Sequence, residues 1–176
     1  MKRTFLLAGL LLLIGNFALA EEKGGAASAE AAIKEPGGKT VGTAVLTQTA
    51  QGVAVAVEVS QLPPGSHGIH VHATGKCDPP DFKTAGGHFN PQAKKHGLKS
   101  PEGAHAGDLP NLVVGPDGTG RLSATLVSAT LERGGPASLL NPNGTSIVIH
   151  AKADDEVTDP SGNSGDRIAC GIITGK

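Results

Sequence analysis

QGVAVAVEVSQ, residues 51–61, decides the fold class. Val53, Val55, Val57 and Val59 alternate with Ala54, Ala56 and Glu58. A period of two lines the valines along one side of a strand, so this segment is a strand with one buried face. Working outward, Val41 to Thr47 is its upstream partner, and Thr49-Ala50-Gln51-Gly52 supplies the turn between them. Downstream, Asn111 to Val114, the turn GPDG and Thr119 to Val127 form a second hairpin. Ser146 to His150 and Ile168 to Thr174 are further short β-branched runs, and no stretch carries a helical period with caps. With 26 Gly and 12 Pro, turns are dense. Short strands joined by dense turns favour an all-β sandwich or barrel.

The chain has 176 residues, enough for one domain. Residues 1–20 pair a positive start (Lys2, Arg3) with an apolar run from Phe5 to Ile14 and an Ala18-Leu19-Ala20 end, the pattern of a signal peptide cleaved after Ala20. Residues 21–28, EEKGGAAS, read as a flexible leader, and residues 29–176 as the folded domain. Removing Lys2 and Arg3 leaves 13 basic against 16 acidic residues, which moves the formal charge from −1 to −3. That balance does not suggest a nucleic-acid partner, and no later apolar segment is long enough to span a membrane. The expected location is the periplasm or the extracellular space. Cys77 and Cys170 are the two cysteines, and an even pair in an oxidising compartment reads as a disulfide.

All seven histidines fall between positions 67 and 150. GSHGIHVHATGKC, residues 65–77, holds three of them. If Gly68 to His72 is a strand, Ile69 and Val71 face the core and His70 and His72 face away together. Paired imidazoles suit copper or zinc. His150 ends a second apolar strand. From Ala73 to Asp108 the chain is poor in aliphatics and rich in Gly, Pro, Lys and His, too long for a plain connection. His88, His96, His105 and Asp108 lie within it. Three nitrogens and one carboxylate can close a tetrahedral zinc site. His70, His72, His150 and one further nitrogen suit a copper with flattened geometry. Spacing alone does not say which loop residue serves which metal.

GSHGIHVH, GGHFNP, KKHG, AHAGDL, IVIHAKADD and GNSGDRIACG resemble, in this order, the successive signatures of the copper/zinc superoxide dismutases, most closely the exported bacterial branch. The resemblance spans roughly residues 29–175. It implies an eight-stranded antiparallel Greek-key β-barrel or sandwich with the metals outside it, under two long loops. It also implies dismutation of superoxide by a copper cycling between Cu(II) and Cu(I). By this resemblance His70, His72, His88 and His150 are the copper ligands. His88 is shared with zinc, whose other ligands are His96, His105 and Asp108. Asp154 links a copper-bound to a zinc-bound histidine, Arg167 stands beside the copper, and Cys77 and Cys170 form the family disulfide. His67, which shares a face with Ile69 and Val71, is expected to be buried and hydrogen-bonded.

The roles make chemical sense. Superoxide is a small anion, and a guanidinium stays charged and offers a fork of donors. Spacing alone would pair Arg167 with Asp166; the family match assigns it to the copper. An imidazole between two metals must be an imidazolate, which two cations stabilise. The segment from Ala151 to Asp166 is shorter than the corresponding loop of eukaryotic members, so Lys76, Lys83, Lys94 or Lys95 are candidates to guide the anion. Three other readings compete: a copper or zinc storage module, a zinc hydrolase or lyase, and a zinc-filled structural protein without copper. The composition, with no Trp or Tyr, leaves open a homodimer built on aliphatic contacts.

Overall fold

The computed structural model describes residues 27–176; the expected signal peptide and most of the leader lie outside this range. Ten strands follow one another: β1 (Ser28–Lys34), β2 (Thr40–Thr49), β3 (Gly52–Val59), β4 (Gly65–His67), β5 (Ile69–His72), β6 (Leu112–Val114), β7 (Gly120–Leu126), β8 (Ser146–His150), β9 (Arg167–Ile172) and β10 (Thr174–Gly175). Hydrogen bonding orders them β4-β6-β7-β3-β2-β1-β9-β8-β5, with β10 on β1. All pairings between these strands are antiparallel.

The two ends of that order, β4 and β5, are halves of one strand interrupted at Gly68, so the sheet curls into a nearly closed barrel. Counting β4 with β5 and β9 with β10 gives the eight strands expected from the sequence. β3 to β4 and β7 to β8 do not connect neighbours, and these two crossovers make the Greek key.

The alternation that decides the fold is met in full: Val53, Val55, Val57 and Val59 are all buried, and β2 and β7 flank β3 on either side. Each such valine stabilises the fold by roughly 1.5–3 kcal/mol relative to exposure. The partner segment Val41–Thr47 lies within β2, but its inward residues are Val41, Ala44 and Leu46. The slip has a cause: Ile33 pairs with Gly42 and Lys34 with Thr40, so Val41 is the extra residue of a bulge. Ala29, Ala31 and Ile33 of β1 complete that wall of the core.

The stretch from Ala73 to Asp108 is ordered without regular strands. Apart from a single 3₁₀ turn at Lys83–Ala85, turns and backbone bonds to β5 hold it. A small second apolar cluster beneath it contains Phe82, Ala85, Val148 and Cys170, with Cys77 packed against it. Cys77 and Cys170 are disulfide-bonded across 93 positions, as expected. Among the described residues no helix is long and apolar enough to cross a membrane.

Candidate metal centre

β5 places the first two histidines. Ile69 and Val71 are fully buried in the barrel, so His70 and His72 face outward together. On β8, Val148 and Ser146 lie opposite His70 and His72, and His150 follows at the strand end. There the register shifts: Ile149 pairs with Ala169, but His150 pairs with Arg167. The skipped residue, Ile168, is a bulge that brings Arg167 level with His150. Bulges commonly re-aim a side chain in this way.

The long loop then folds back onto β5. Val71 donates to the Gly107 carbonyl and Phe89 donates to the Val71 carbonyl, each at 2.8 Å. Isolated bridges pair His70 with Asp108 and His72 with His88. Gly107 permits this approach, since a Cβ there would lie 2.4 Å from the Val71 carbonyl oxygen.

Two donor groups result. In the first, one ring nitrogen each from His70, His72, His88 and His150 lies within 4.8 Å of the others. His70 Nε2 donates to Asp154 Oδ2 (2.8 Å), His72 Nδ1 to the Gly86 carbonyl (2.9 Å) and His150 Nδ1 to the Gly165 carbonyl (3.1 Å). Each bond fixes a tautomer and leaves a lone pair on the opposite nitrogen. Those opposite atoms, His70 Nδ1, His72 Nε2 and His150 Nε2, are buried without a partner, as is His88 Nε2. Ser164 Oγ is the one other such atom among the described residues. Four orphaned imidazole nitrogens brought together are costly unless a cation takes them.

In the second group, Asp108 Oδ1 lies 3.1 Å from His88 Nδ1, 3.1 Å from His96 Nδ1 and 3.3 Å from His105 Nδ1. Zinc bonds of about 2.0–2.1 Å in a tetrahedron put donors roughly 3.3 Å apart, so the spacing fits. His70, His88, His96 and Asp108 also fall within 4.8 Å of one another. But His70 Nε2 is taken by Asp154, whereas His105 Nδ1 stands 3.3 Å from both His88 Nδ1 and Asp108. His105 is therefore the better fourth member. His88 offers one nitrogen to each group.

Asp154 ties the groups together, with Oδ2 accepting from His70 Nε2 at 2.8 Å and Oδ1 facing His96 Nε2 at 3.0 Å. Asn111 holds the Asp154 backbone from both sides, donating to its carbonyl and accepting from its N–H at 2.8 and 2.7 Å.

A sequence model of the family described as copper/zinc superoxide dismutase matches residues 40–173. Superoxide dismutase [Cu-Zn] 1 of Aquifex aeolicus is 45% identical over 165 residues, 93% of this chain and 95% of that protein. The chain belongs to the copper/zinc superoxide dismutase family. A superoxide dismutase of Caulobacter vibrioides is 43% identical over 83% of this chain and 85% of its own. Among solved structures, the Cu/Zn superoxide dismutase from Brucella abortus superposes with a TM-score of 0.66 at 31% identity, covering 84% of this chain and 99% of that one. A SOD-like protein from Bacillus subtilis reaches 0.79 at 40% identity, covering 82% and 97%. The activity is dismutation of superoxide, and the cofactors are copper and zinc.

Around the dismutase's two donor groups the titrations oppose one another. Burial lowers His70 to about 3 and His150 to about 4, against the opposing pull of Asp154 on His70 and of the Gly165 carbonyl on His150. Burial also acts on His96, but the Asp108 and Asp154 carboxylates outweigh it and raise that ring to about 9. The depressed histidines contribute stability present above pH 6.5 and lost as pH falls toward 4 and 3. The raised His96 contributes stability present below 6.5 and lost as pH rises through 9. The metal-free protein should therefore melt highest near pH 6.5 and lower on both sides, in a calorimetric series from pH 4 to 10. A metal taken up on His96 at pH 7 should release the proton of that ring, read from the buffer dependence of the binding heat.

Arg167 does not pair with Asp166. Its two terminal nitrogens donate to the Phe82 and Gly86 carbonyls, both at 2.7 Å. The Gly86 oxygen is the one that also holds His72. Of the lysines considered as guides, Lys83 is paired with Asp81 (2.7 Å) and Lys95 with Asp159 (3.1 Å). Lys76 and Lys94 form no ion pair among the described residues. His67 is buried, with its ring nitrogens 2.8 Å from the His150 and Pro63 carbonyl oxygens.

Sequence reasoning missed Asn111 and Gly162. Asn111 looks like the edge of a hairpin. Gly162 sits at φ +62°, and a Cβ there would lie 1.6 Å from Asp154 Oδ1. Gly162→Ala should displace Asp154 and weaken a metal held by either donor group, by about 10–100-fold for a lost outer partner. Chelator competition for copper and for zinc measures it.

Proposed function

We propose that the dismutase holds copper on His70, His72, His88 and His150, and zinc on His88, His96, His105 and Asp108. The observation that carries this is the arrangement of His88: Nδ1 stands in the carboxylate-bearing group, and Nε2 is one of the four orphaned nitrogens. An all-nitrogen set suits copper, and a closed set of three nitrogens and one carboxylate suits zinc. When bound, copper supplies the one-electron oxidation of one superoxide and the one-electron reduction of the next, while zinc stays redox-silent.

The chain's own residues do the rest. Two superoxide anions and two protons become dioxygen and hydrogen peroxide, so both protons must reach the reduced partner, one from the site and one from water. His88 Nε2 is buried and otherwise unpartnered, which makes it the atom that would carry one whenever its lone pair is not given to copper, while Nδ1 anchors the ring in the zinc group. Arg167 binds the anion. Its half-buried guanidinium is held against two carbonyls, so it pays little ordering cost when the substrate arrives. Asp154 keeps His70 and His96 in the tautomers that present their lone pairs. The disulfide and the signal-like residues 1–20 support an exported enzyme.

Loading copper into both groups tests the shared histidine. Two Cu(II) spins joined through the His88 ring should couple, and their paramagnetic resonance signal should vanish at low temperature. Two independent signals would mean that His88 is not shared. Arg167→Ala should bind copper as the parent does but lose about 10–100-fold in kcat/KM. The loss should be largest at low ionic strength, since salt screens exposed charge. A flat salt profile in the parent would argue against steering by Arg167 and the free lysines.

A further inference from the structure

We propose that Asp159 is a positioning residue for the zinc group, a carboxylate that holds His96 from behind and supports His105. This rests on the zinc assignment above. The histidines of the mixed group differ in where their second nitrogen goes. That of His88 belongs to the four-nitrogen group, and that of His96 faces Asp154. His105 Nε2 faces a different carboxylate, Asp159 Oδ1, at 4.0 Å. The same oxygen accepts the backbone N–H of His96 at 2.8 Å. The other oxygen, Oδ2, accepts from Lys95 Nζ at 3.1 Å. One carboxylate therefore touches the backbone of one zinc-group histidine and faces the outer nitrogen of another.

Its place in the chain gives the contact meaning. Asp159 comes from the short 151–166 loop, and His96 and His105 come from the 73–108 stretch. The loops meet nearby through Lys99, which donates its backbone N–H to the Glu156 carbonyl at 3.0 Å and pairs with the Glu156 carboxylate at 2.7 Å. Gly97 lets them meet, because a Cβ there would sit 2.0 Å from the Glu156 carbonyl oxygen. A negative charge behind a ligating imidazole makes its inner nitrogen a better donor; hydrogen-bonded outer partners commonly change metal affinity 10–100-fold, and Asp159 acts by its bond to the His96 backbone and, at 4.0 Å, by its charge on His105. Asp154 serves both metals; Asp159 serves zinc alone.

The test is zinc affinity by chelator competition on the copper-loaded protein, with the melting temperature of the metal-free protein beside it. Asp159→Ala should weaken zinc by about 10-fold or more. Asp159→Asn keeps an oxygen for the His96 N–H but drops the charge toward His105, and should fall between Asp159→Ala and the parent. Lys95→Ala removes the cation that offsets the Asp159 charge and should bind zinc at least as tightly as the parent does. The inference is overturned if Asp159→Asn binds zinc as tightly as the parent, since the charge then does nothing. It is also overturned if the loss in Asp159→Ala is matched by an equal loss in the metal-free melting temperature, which would make Asp159 a loop clamp. A parent that takes up no zinc would overturn the zinc assignment itself; a zinc-tight parent with unchanged variants overturns this inference alone.

Discussion

His150→Ala should leave a folded protein that loses more than about 100-fold of its dismutation rate, because an absent ligand costs more than an absent outer partner. The residue closes β8, whose Ile147 and Ile149 are fully buried, and its backbone N–H donates to the Gly68 carbonyl at 2.8 Å. Alanine keeps that backbone bond and the strand. What it removes is one of four orphaned nitrogens and the hydrogen bond to Gly165. The barrel core does not contain the ring, so the metal-free melting temperature should move little. Copper content, copper affinity and turnover should fall together, while zinc stays bound, because none of the zinc-group atoms belongs to His150. A variant that keeps copper and rate would remove His150 from the site.

Removing the disulfide, as Cys77→Ser with Cys170→Ser, should have the largest effect on stability. The bridge closes 93 positions of sequence, and on chain-entropy grounds a loop of that length stabilises by roughly 4–5 kcal/mol. At about 2–4 °C per kcal/mol for a domain of this size, the melting temperature should drop by roughly 8–20 °C, less if the unfolded chain is already compact. The effect should reach the site as well. Both cysteines pack with Phe82 in the small second cluster, and the Phe82 carbonyl is one of the two that hold Arg167. The cysteine-free protein should therefore keep copper yet resemble Arg167→Ala in kcat/KM and salt dependence. A cysteine-free protein with the parent's melting temperature would contradict the first expectation, and parental kcat/KM would contradict the second.

What the sequence made legible follows from physical periodicity. The β3 valines report a half-buried strand because alternation and β-branching coincide there. β1 carries the same alternation, but with Ala29 and Ala31 as its inward residues beside Glu30, and small side chains give a weak signal. The bulges at Val41 and Ile168 were invisible, since an extra residue in a ladder leaves no mark on hydrophobicity. The second of them decides where Arg167 points. His70 and His72 were legible as a pair because a strand dictates their common side. His88, His96, His105 and Asp108 were legible as donors but not as a set. Their gathering depends on the loop's hydrogen bonds to β5, on Gly107 and on Asp154, all contacts between distant residues. The family signatures supplied the grouping that spacing could not.

The most direct measurement is superoxide turnover by the purified protein, titrated with copper after zinc has been supplied. The rate should rise linearly to a plateau at one copper per chain, vanish when copper is chelated, and be absent with zinc alone. A protein that binds one copper and one zinc per chain without turning over superoxide would contradict the account and point instead to a metal store.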